Sequence, residues 1–391
     1  PRFNFKDINA VASYILNSKN RISFTLKHGE DNIDEEREFF GFENILSYDS
    51  TKIIENTTLA NTSGILKWAL YLNPEWSTKL SLAKTKYGSD HNSILINNSL
   101  TLNEYEQSVN EENTFTDEIL TIYQNIKSIK NHHLQLGYSH STFNSNFNTQ
   151  RILTESSEKT KLVQKASLKS IFLEDKWAIS KNIKLRLGIR NTYFSKNNSS
   201  YLEPRISATM KVTPNFIFEG ALGKNNQFIH QFNSPLSTRG TQGTWLISQE
   251  QIPVISSLSS QISSHWKGQK HEFSISLYQR SSEGHFNFEK YLSPIPILSD
   301  QNEYGNQYYK GSQGKENING AEVLIRKRNS LINGWISYHF NETKYSFPDI
   351  NNGNLYKADH DLRHEFKSVL ITSILNWDVT TSWSFSSGRV F

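Results

Sequence analysis

The segment 183–191 (IKLRLGIRN) constrains the fold more than any other part of the sequence. Successive side chains of an extended strand point to opposite sides, so this segment has one apolar side and one basic side. The apolar side carries Ile183, Leu185, Leu187 and Ile189, and the basic side carries Lys184, Arg186 and Arg190. Because the alternation recurs along the chain, it predicts a barrel whose apolar face meets lipid and whose polar face lines a wet interior.

The composition excludes several classes of protein. No apolar run in the 391 residues approaches the roughly 18 residues of a membrane-spanning helix, whereas a barrel strand needs only about 9 to 11. The 42 basic and 38 acidic residues leave a net charge of +4, which does not indicate nucleic-acid binding. The chain has no cysteine, so it offers neither a disulfide framework nor a thiolate metal site.

Short turns and long polar segments alternate along the chain. Eight short turns are predicted near residues 17–20, 73–76, 127–131, 180–182, 213–215, 267–270, 329–332 and 376–377. Longer loops rich in Asn, Ser, Gly or Glu are predicted at 30–38, 89–116, 225–253 and 286–317. The pattern predicts one all-β domain over residues 1–391, a transmembrane antiparallel up-and-down β-barrel of about sixteen strands. Its short turns would be periplasmic and its long loops extracellular.

Tryptophan placement favours the same interpretation. Five of the eight tryptophans lie close to a short turn: Trp76, Trp177, Trp266, Trp335 and Trp377. Amphipathic rings prefer the membrane–water boundary, so an aromatic girdle is expected at the turn end of the barrel. The alternative is that these rings are core residues at the hairpin ends of a soluble all-β protein.

A series of motifs resembles the barrel of TonB-dependent outer-membrane receptors. Residues 173–177 (LEDKW) followed by 188–190 (GIR) resemble the family's hairpin, and 203–205 (EPR) resembles its strand start. Further matches, in family order, are residues 319–322 (NGAE), 347–353 (FPDINNG), 361–364 (DLRH) and 387–389 (SGR). The ordered series is more specific than any of its members.

The resemblance implies a larger, 22-stranded barrel closed by an N-terminal plug domain. No plug, energy-coupling box or terminal aromatic strand is recognised, so we expect a barrel fragment that lacks the plug and roughly six strands. The implied partners are the protein's own plug domain, the TonB-ExbB-ExbD energy-transducing complex, outer-membrane lipid and a surface lipoprotein, with no nucleic acid. The implied location is the outer membrane of a Gram-negative bacterium.

The implied function is import of a scarce, large ligand driven by the TonB complex. Siderophore, corrinoid, glycan and peptide all remain open as ligands. The alternatives are a passive porin, a surface adhesion barrel and a soluble all-β binding module. We expect no enzyme and no cofactor, because the sequence contains neither a G-x-S-x-G elbow nor a glycine-rich phosphate loop.

Two groups of residues are candidate sites. Polar residues predicted to face the lumen and contact the plug, or to steer an anionic substrate, are Lys184, Arg186, Arg190, Arg205, Lys211, Glu322 and Arg326. Aromatic residues in or beside the predicted outer loops are candidates for ligand contact: Phe228, Trp245, Tyr304, Tyr308 and Tyr309. His360 and His364 have the spacing of a helical zinc pair, but on a strand they would lie about 13 Å apart, so no metal site is expected.

Overall fold

The computed structural model describes residues 1–44, 47–98, 105–153, 156–233, 243–250, 252–288, 311–328, 331–348 and 350–388. Its strands are, in order, β1 (Arg2–Asn17), β2 (Asn20–Asn44), β3 (Ser47–Asn73), β4 (Trp76–Asn98), β5 (Tyr105–Ile126), β6 (His132–Leu153), β7 (Ser156–Ala178), β8 (Ile183–Phe194), β9 (Ser199–Thr213), β10 (Phe216–Gln227), β11 (Ile229–Asn233), β12 (Gly243–Ile247), β13 (Ile255–Lys267), β14 (His271–Phe288), β15 (Gly311–Lys327), β16 (Ile332–Ser346), β17 (Tyr356–Lys357), β18 (His364–Ile374) and β19 (Trp377–Ser386).

One antiparallel sheet of 17 strands forms the wall. Its ladders follow the chain from β1–β2 to β18–β19, and β10 pairs with β13 because the hairpin β11–β12 leaves the sheet. Without the two-residue strand β17, the wall has sixteen strands, which confirms the predicted up-and-down architecture. The helical content of the described residues is one turn of 3-10 helix, Asn351–Gly353.

All eight predicted short turns fall between strands that are neighbours in the wall, although residues 329–330 of the turn predicted at 329–332 lie outside the described residues. Asparagine side chains hold two of them closed. The Asn73 carboxamide oxygen accepts hydrogen bonds from the backbone N–H groups of Glu75 (2.9 Å) and Trp76 (2.8 Å). Asn17 does the same for the N–H of Lys19 at 3.0 Å. A side chain that satisfies main-chain donors locally lets the chain reverse direction within two residues.

Two predicted loops are strand instead. Residues 30–38 lie inside β2, and most of 89–116 belongs to β4 and β5. Their charged side chains find cross-strand partners, as in the Lys6–Glu30 pair at 3.0 Å and the Lys52–Glu36 pair at 2.7 Å. Beyond the bilayer both sides of a strand are wet, so the apolar alternation that identifies a strand disappears while the ladder continues.

The other two long segments also contain strand. Residues 225–253 include the end of β10 and the whole hairpin β11–β12. Within 286–317, β14 continues to Phe288 and β15 begins at Gly311. Residues 289–310 lie outside the described part of the chain, so the extracellular loop predicted there is not described.

The two faces of the wall differ in chemistry. We call the face on which the hairpin β11–β12 packs the inner face and the opposite one the outer face. Apolar side chains form a row across the outer face of β7–β10 and β13–β16: Leu173, Leu187, Ile206, Leu222, Ile262, Leu277, Ile325 and Ile336, each at least 40% exposed. Exposed apolar side chains across so many strands suit contact with lipid chains.

The predicted girdle is confirmed at four of its five tryptophans. Trp76, Trp177, Trp266 and Trp377 lie on the outer face at strand ends next to short turns. Trp335 is the exception, because it pairs in register with Arg326 and so lies on the inner face. A shift of one residue in register moves a side chain to the opposite face, and proximity to a turn does not determine that register.

No helix among the described residues is both long and apolar enough to cross a membrane.

Substitutions on β8 test the assignment of the two faces. Leu187→Arg on the outer face should destabilise the folded protein by about 2 to 4 kcal/mol, because it places a charge near the middle of the bilayer. Arg186→Leu on the inner face should cost about 0 to 1 kcal/mol, because it removes only a half-exposed ion pair. Urea titration in lipid vesicles, followed by tryptophan fluorescence, measures both, and the opposite ranking would reverse the assignment of faces.

Candidate binding surface on the inner face

The hairpin β11–β12 is anchored to the inner face by hydrogen bonds from three wall strands. The Asn113 carboxamide oxygen on β5 accepts from the Trp245 N–H at 3.1 Å, and the Ser145 hydroxyl on β6 donates to the Trp245 carbonyl at 2.5 Å. Gln164 on β7 accepts from the Ile247 N–H at 2.9 Å and donates to its carbonyl at 3.4 Å. The free edge of β12 is therefore paired by side chains instead of by another strand.

An apolar cluster holds the hairpin in place. It consists of Phe143, Ala166, Phe194, Phe228 and Ile247, all less than 9% exposed. The rings of Phe194 and Phe228 lie 5.0 Å apart, and Tyr201 meets Phe228 edge-on at 5.2 Å. Burial of each large side chain contributes roughly 1.5 to 3 kcal/mol, so the cluster stabilises the hairpin in its docked position on the inner face.

The candidate ligand-contacting aromatics divide into three cases. Phe228 lies in the packed cluster, so it supports the hairpin. Trp245 is half-buried, with its ring 5.8 Å from Phe115 and 6.1 Å from Tyr87. Its indole Nε1 is buried and has no hydrogen-bond partner among the described residues. Tyr304, Tyr308 and Tyr309 lie outside the described residues.

His230 is buried within the hairpin and contacts the Ser248 hydroxyl at 2.8 Å. Burial lowers the pKa of the His230 imidazole to about 4, because the charged form loses its hydration. The Pro253 carbonyl opposes the shift, and His285 adds to it by charge repulsion. The docked hairpin therefore holds a neutral histidine at neutral pH.

Five basic residues share the inner face of β8 and β9. Lys184, Arg186 and Arg190 alternate along β8, and the register of β8 with β9 puts Arg205 beside Gly188 on the same face. Lys211 follows on that face near the turn between β9 and β10. Alternation in the sequence predicts that the three β8 residues share one side, and the β8–β9 ladder places the two β9 residues on the same side. We call the surface formed by Lys184, Arg186, Arg190, Arg205 and Lys211 the basic patch.

Most of the basic patch lacks a countercharge. Arg186 pairs with Glu174 at 3.1 Å, and Glu203 on β9 is the in-register inner-face neighbour of Arg190 and the negative charge that acts on it. No described carboxylate lies within 4 Å of Lys184, Arg205 or Lys211. The Arg190 guanidinium lies 5.6 Å from the centre of the Phe172 ring, and its Nε is buried without a hydrogen-bond partner.

Gly188 makes room for Arg205. A Cβ at position 188 would lie 2.8 Å from the Arg205 Cγ, so the Arg205 side chain crosses directly over the glycine. Arg186 and Arg205 face a depression of about 450 Å³ that Tyr278 and Arg280 also border.

Glu322 and Arg326 do not belong to this surface. Both lie on the inner face of β15, and β10, β13 and β14 separate them from the basic patch in the order of the sheet. Glu322 lies 3.6 Å from His339, and Arg326 lies 3.5 Å from Glu272. Sequence alternation identifies the face of a residue, but not how far apart two residues are around the wall.

A second polar cluster escaped the sequence analysis. Glu316, only 3% exposed, accepts a hydrogen bond from Arg280 at 2.7 Å and lies 3.7 Å from His285 and 3.9 Å from His360. Glu316 falls in a segment predicted to be loop, and its partners are distant in sequence, so no local pattern marked it. His364 instead contacts the Tyr338 hydroxyl at 2.8 Å on the outer face.

Anchoring of the hairpin can be tested through Gln164. Gln164→Ala removes both side-chain hydrogen bonds to Ile247, so the Ile247 N–H should exchange with solvent roughly tenfold faster, since each bond contributes about 1 kcal/mol. Hydrogen exchange with mass spectrometry measures this. Gln150→Ala, on the outer face of β6, is the control and should leave the exchange of Ile247 unchanged. Unaltered exchange in Gln164→Ala would show that the wall does not hold the hairpin.

The lowered pKa of His230 predicts a pH dependence of docking. The detached hairpin would bind a proton near pH 6.5, whereas the docked one resists protonation until about pH 4. Docking should therefore be full above pH 6.5 and weaken as the pH falls toward 4. Hydrogen exchange of β11 and β12, corrected for its intrinsic pH dependence and followed by mass spectrometry at several pH values, measures this, and His230→Gln should flatten the profile. A wild-type profile as flat as that of the variant would contradict the role of His230.

The fold has counterparts among solved structures. No protein-family model and no curated protein matches the chain. A structure of the alcaligin outer membrane receptor FauA from Bordetella pertussis matches 98% of this chain and 66% of its own, with 12% identity and a TM-score of 0.54. The Fiu ferric-catecholate import receptor from Escherichia coli K12 matches with 8% identity, 97% and 68% coverage, and a TM-score of 0.59.

A structure of the RagAB peptide importer also matches, with 10% identity, 99% and 54% coverage, and a TM-score of 0.56. The chain thus spans about two thirds of the length of the FauA and Fiu structures and about half of that of the RagAB structure. We conclude that this chain has the β-barrel fold of TonB-dependent outer-membrane receptors.

Proposed function

We propose that this chain forms the wall of the β-barrel of an energy-coupled importer in a Gram-negative outer membrane. The fold of the wall and its apolar outer face support the location. In this proposal a plug domain occludes the lumen, loops capture the ligand, and the TonB-ExbB-ExbD complex pulls on the plug to open a path along the inner face. A surface lipoprotein is a further proposed partner.

The proposed binding of a negatively charged plug or ligand rests on the basic patch. Lys184, Arg205 and Lys211 are exposed on one inner surface with no carboxylate within 4 Å among the described residues, so their charge is available to a negative partner. A plug domain with acidic side chains would be that partner at rest. An anionic ligand would be that partner during passage, and Arg guanidinium groups bind carboxylates and phenolates in defined geometry.

The ligand class follows from the same surface. Ferric siderophores, acidic glycans and acidic peptides carry the negative charge that the patch would attract, and a neutral corrinoid does not. Trp245 offers a second contact, because the exposed part of its half-buried ring is available to stack against a ligand above the hairpin. We therefore place anionic ligands first.

Uptake by cells tests the proposal. A Gram-negative host expressing the protein is given, in turn, a labelled ferric-catecholate siderophore, an oligogalacturonate, an acidic peptide and cyanocobalamin. Uptake of one anionic probe should be saturable and fall more than tenfold when TonB is deleted. Uptake that persists without TonB and does not saturate would identify a passive pore instead.

A double variant distinguishes the two roles of the basic patch. Arg190→Gln with Arg205→Gln should lower anionic uptake roughly tenfold, since a hydrogen bond to a charged group contributes about 1.5 to 3 kcal/mol. A ligand role predicts no change in the binding of the plug to the barrel, whereas a plug role predicts a leaky barrel that admits a large antibiotic such as vancomycin. The control variant, Lys27→Gln with Lys67→Gln, changes two inner-face lysines on β2 and β3. Unchanged uptake and no leak would contradict both roles.

A further inference from the structure

The outer face of β7 changes character along its length. From the turn upward it carries Trp177, Leu173 and Ile171, and above them come four lysines on the same face: Lys169, Lys165, Lys161 and Lys159. All four are exposed. We call these four residues the lysine stripe. It lies on the side of the wall opposite the basic patch, so the proposed import path does not use it.

The height of the stripe follows from strand geometry. A strand rising about 3.3 Å per residue and tilted about 40° gains roughly 2.5 Å of height per residue, so an apolar band of about 25 Å takes about ten residues. Counted from Ala178 at the turn, that band ends near Lys169. The lowest lysine therefore lies at the upper membrane boundary, and the others lie progressively above it.

Cross-strand neighbours mark the same boundary. Lys169 pairs in register with His140 on β6 and with Tyr193 on β8. Two residues lower, Ile171 pairs with Tyr138, and one row further down Leu173 pairs with Leu136 and Ile189. The surface thus passes from aliphatic side chains through an aromatic row to lysine, as expected where hydrocarbon gives way to headgroups.

The lysine stripe has no internal countercharge. No carboxylate of the described residues lies within 4 Å of any of its four ammonium groups. Its neighbours on the outer face of β6 are amides, Asn144, Asn148 and Gln150. Glu112, on the next strand, accepts a hydrogen bond from Asn148 at 3.2 Å. Two other outer-face lysines are neutralised by carboxylates, in the pairs Lys84–Glu118 at 2.6 Å and Lys315–Glu283 at 2.7 Å.

We propose that the two lower residues of the lysine stripe, Lys169 and Lys165, bind the phosphate groups of glycolipid headgroups in the outer leaflet. By the same geometry Lys161 and Lys159 lie roughly 20 and 25 Å above Lys169, beyond those phosphates. Ammonium groups and amide donors at the membrane boundary match a phosphorylated headgroup whose acyl chains lie against the apolar row below. Charge complementarity and continuity with the lipid-facing surface favour this occupant over a soluble protein. The inference uses the membrane location in the proposed function but not the import step.

Lipid titration of the purified protein tests this proposal. The protein in neutral detergent is titrated with bisphosphorylated lipid A and with its dephosphorylated form, and bound lipid is counted by native mass spectrometry. The wild type should bind the phosphorylated form at least tenfold more tightly. Because each lysine near an anionic headgroup changes affinity about fivefold, Lys165→Gln with Lys169→Gln should remove most of that preference.

Matched variants make the result specific. Lys84→Gln with Lys315→Gln removes the same charge from lysines that already have carboxylate partners, and it should leave the preference intact. Lys165→Arg with Lys169→Arg should retain it. Heat-modifiable gel mobility establishes that every variant is folded.

Four results would overturn the proposal. They are equal affinity of the wild type for both lipids, an equal loss in the Lys84/Lys315 control, displacement of the lipid by millimolar inorganic phosphate, and retention of a soluble acidic protein in place of lipid. Loss of uptake would not bear on it, because the titration does not involve import, so the two proposals fail separately.

Discussion

Main-chain hydrogen bonding between neighbouring strands is the interaction on which this structure depends. In hydrocarbon an unpaired amide or carbonyl costs several kcal/mol, so every wall strand must be paired along the part that crosses the membrane. The continuous ladders from β1–β2 to β18–β19 meet that requirement for every strand between these two ends. Among the described residues β1 pairs only with β2 and β19 only with β18, so each of these two strands keeps one unpaired edge. Once the ladders are fixed, the two-residue period assigns every side chain to the inner or the outer face. Face chemistry is therefore a consequence of pairing.

On the inner face, polar side chains of neighbouring strands form hydrogen bonds with each other. Hydroxyl pairs such as Ser170–Thr192 at 2.9 Å and Ser263–Ser276 at 2.9 Å join neighbouring strands side by side. Side-chain hydrogen bonds also dock the hairpin. Those of Asn113, Ser145 and Gln164 take the place of the main-chain hydrogen bonds that a neighbouring strand would make with the free edge of β12. A hairpin held by side chains can be released at lower cost than a strand of the wall, because each bond exchanges readily with water.

The sequence could predict what depends on local period and turn chemistry. Strand number, the eight turns and the face of residues 183–190 all follow from alternation and from Asn-rich reversals. It could not predict the strand extensions beyond the bilayer, where β2 and β4 are polar on both sides and show no alternation. It also could not predict that Glu316 meets Arg280 and His360, or that Glu322 is remote from Arg190. Those distances depend on register and on position around the wall, which are properties of the assembled sheet.

The wall keeps two cationic surfaces apart that the sequence places almost together. The basic patch begins at Lys184 and the lysine stripe ends at Lys169, only fifteen positions earlier, yet they lie on opposite faces and at different heights. Outer-face charges at the height of the basic patch would face hydrocarbon, where neither water nor headgroups could solvate them. Placing the outer cations only above the apolar band lets headgroups and water reach them. The inner cations can then lie at membrane depth, because the lumen solvates them.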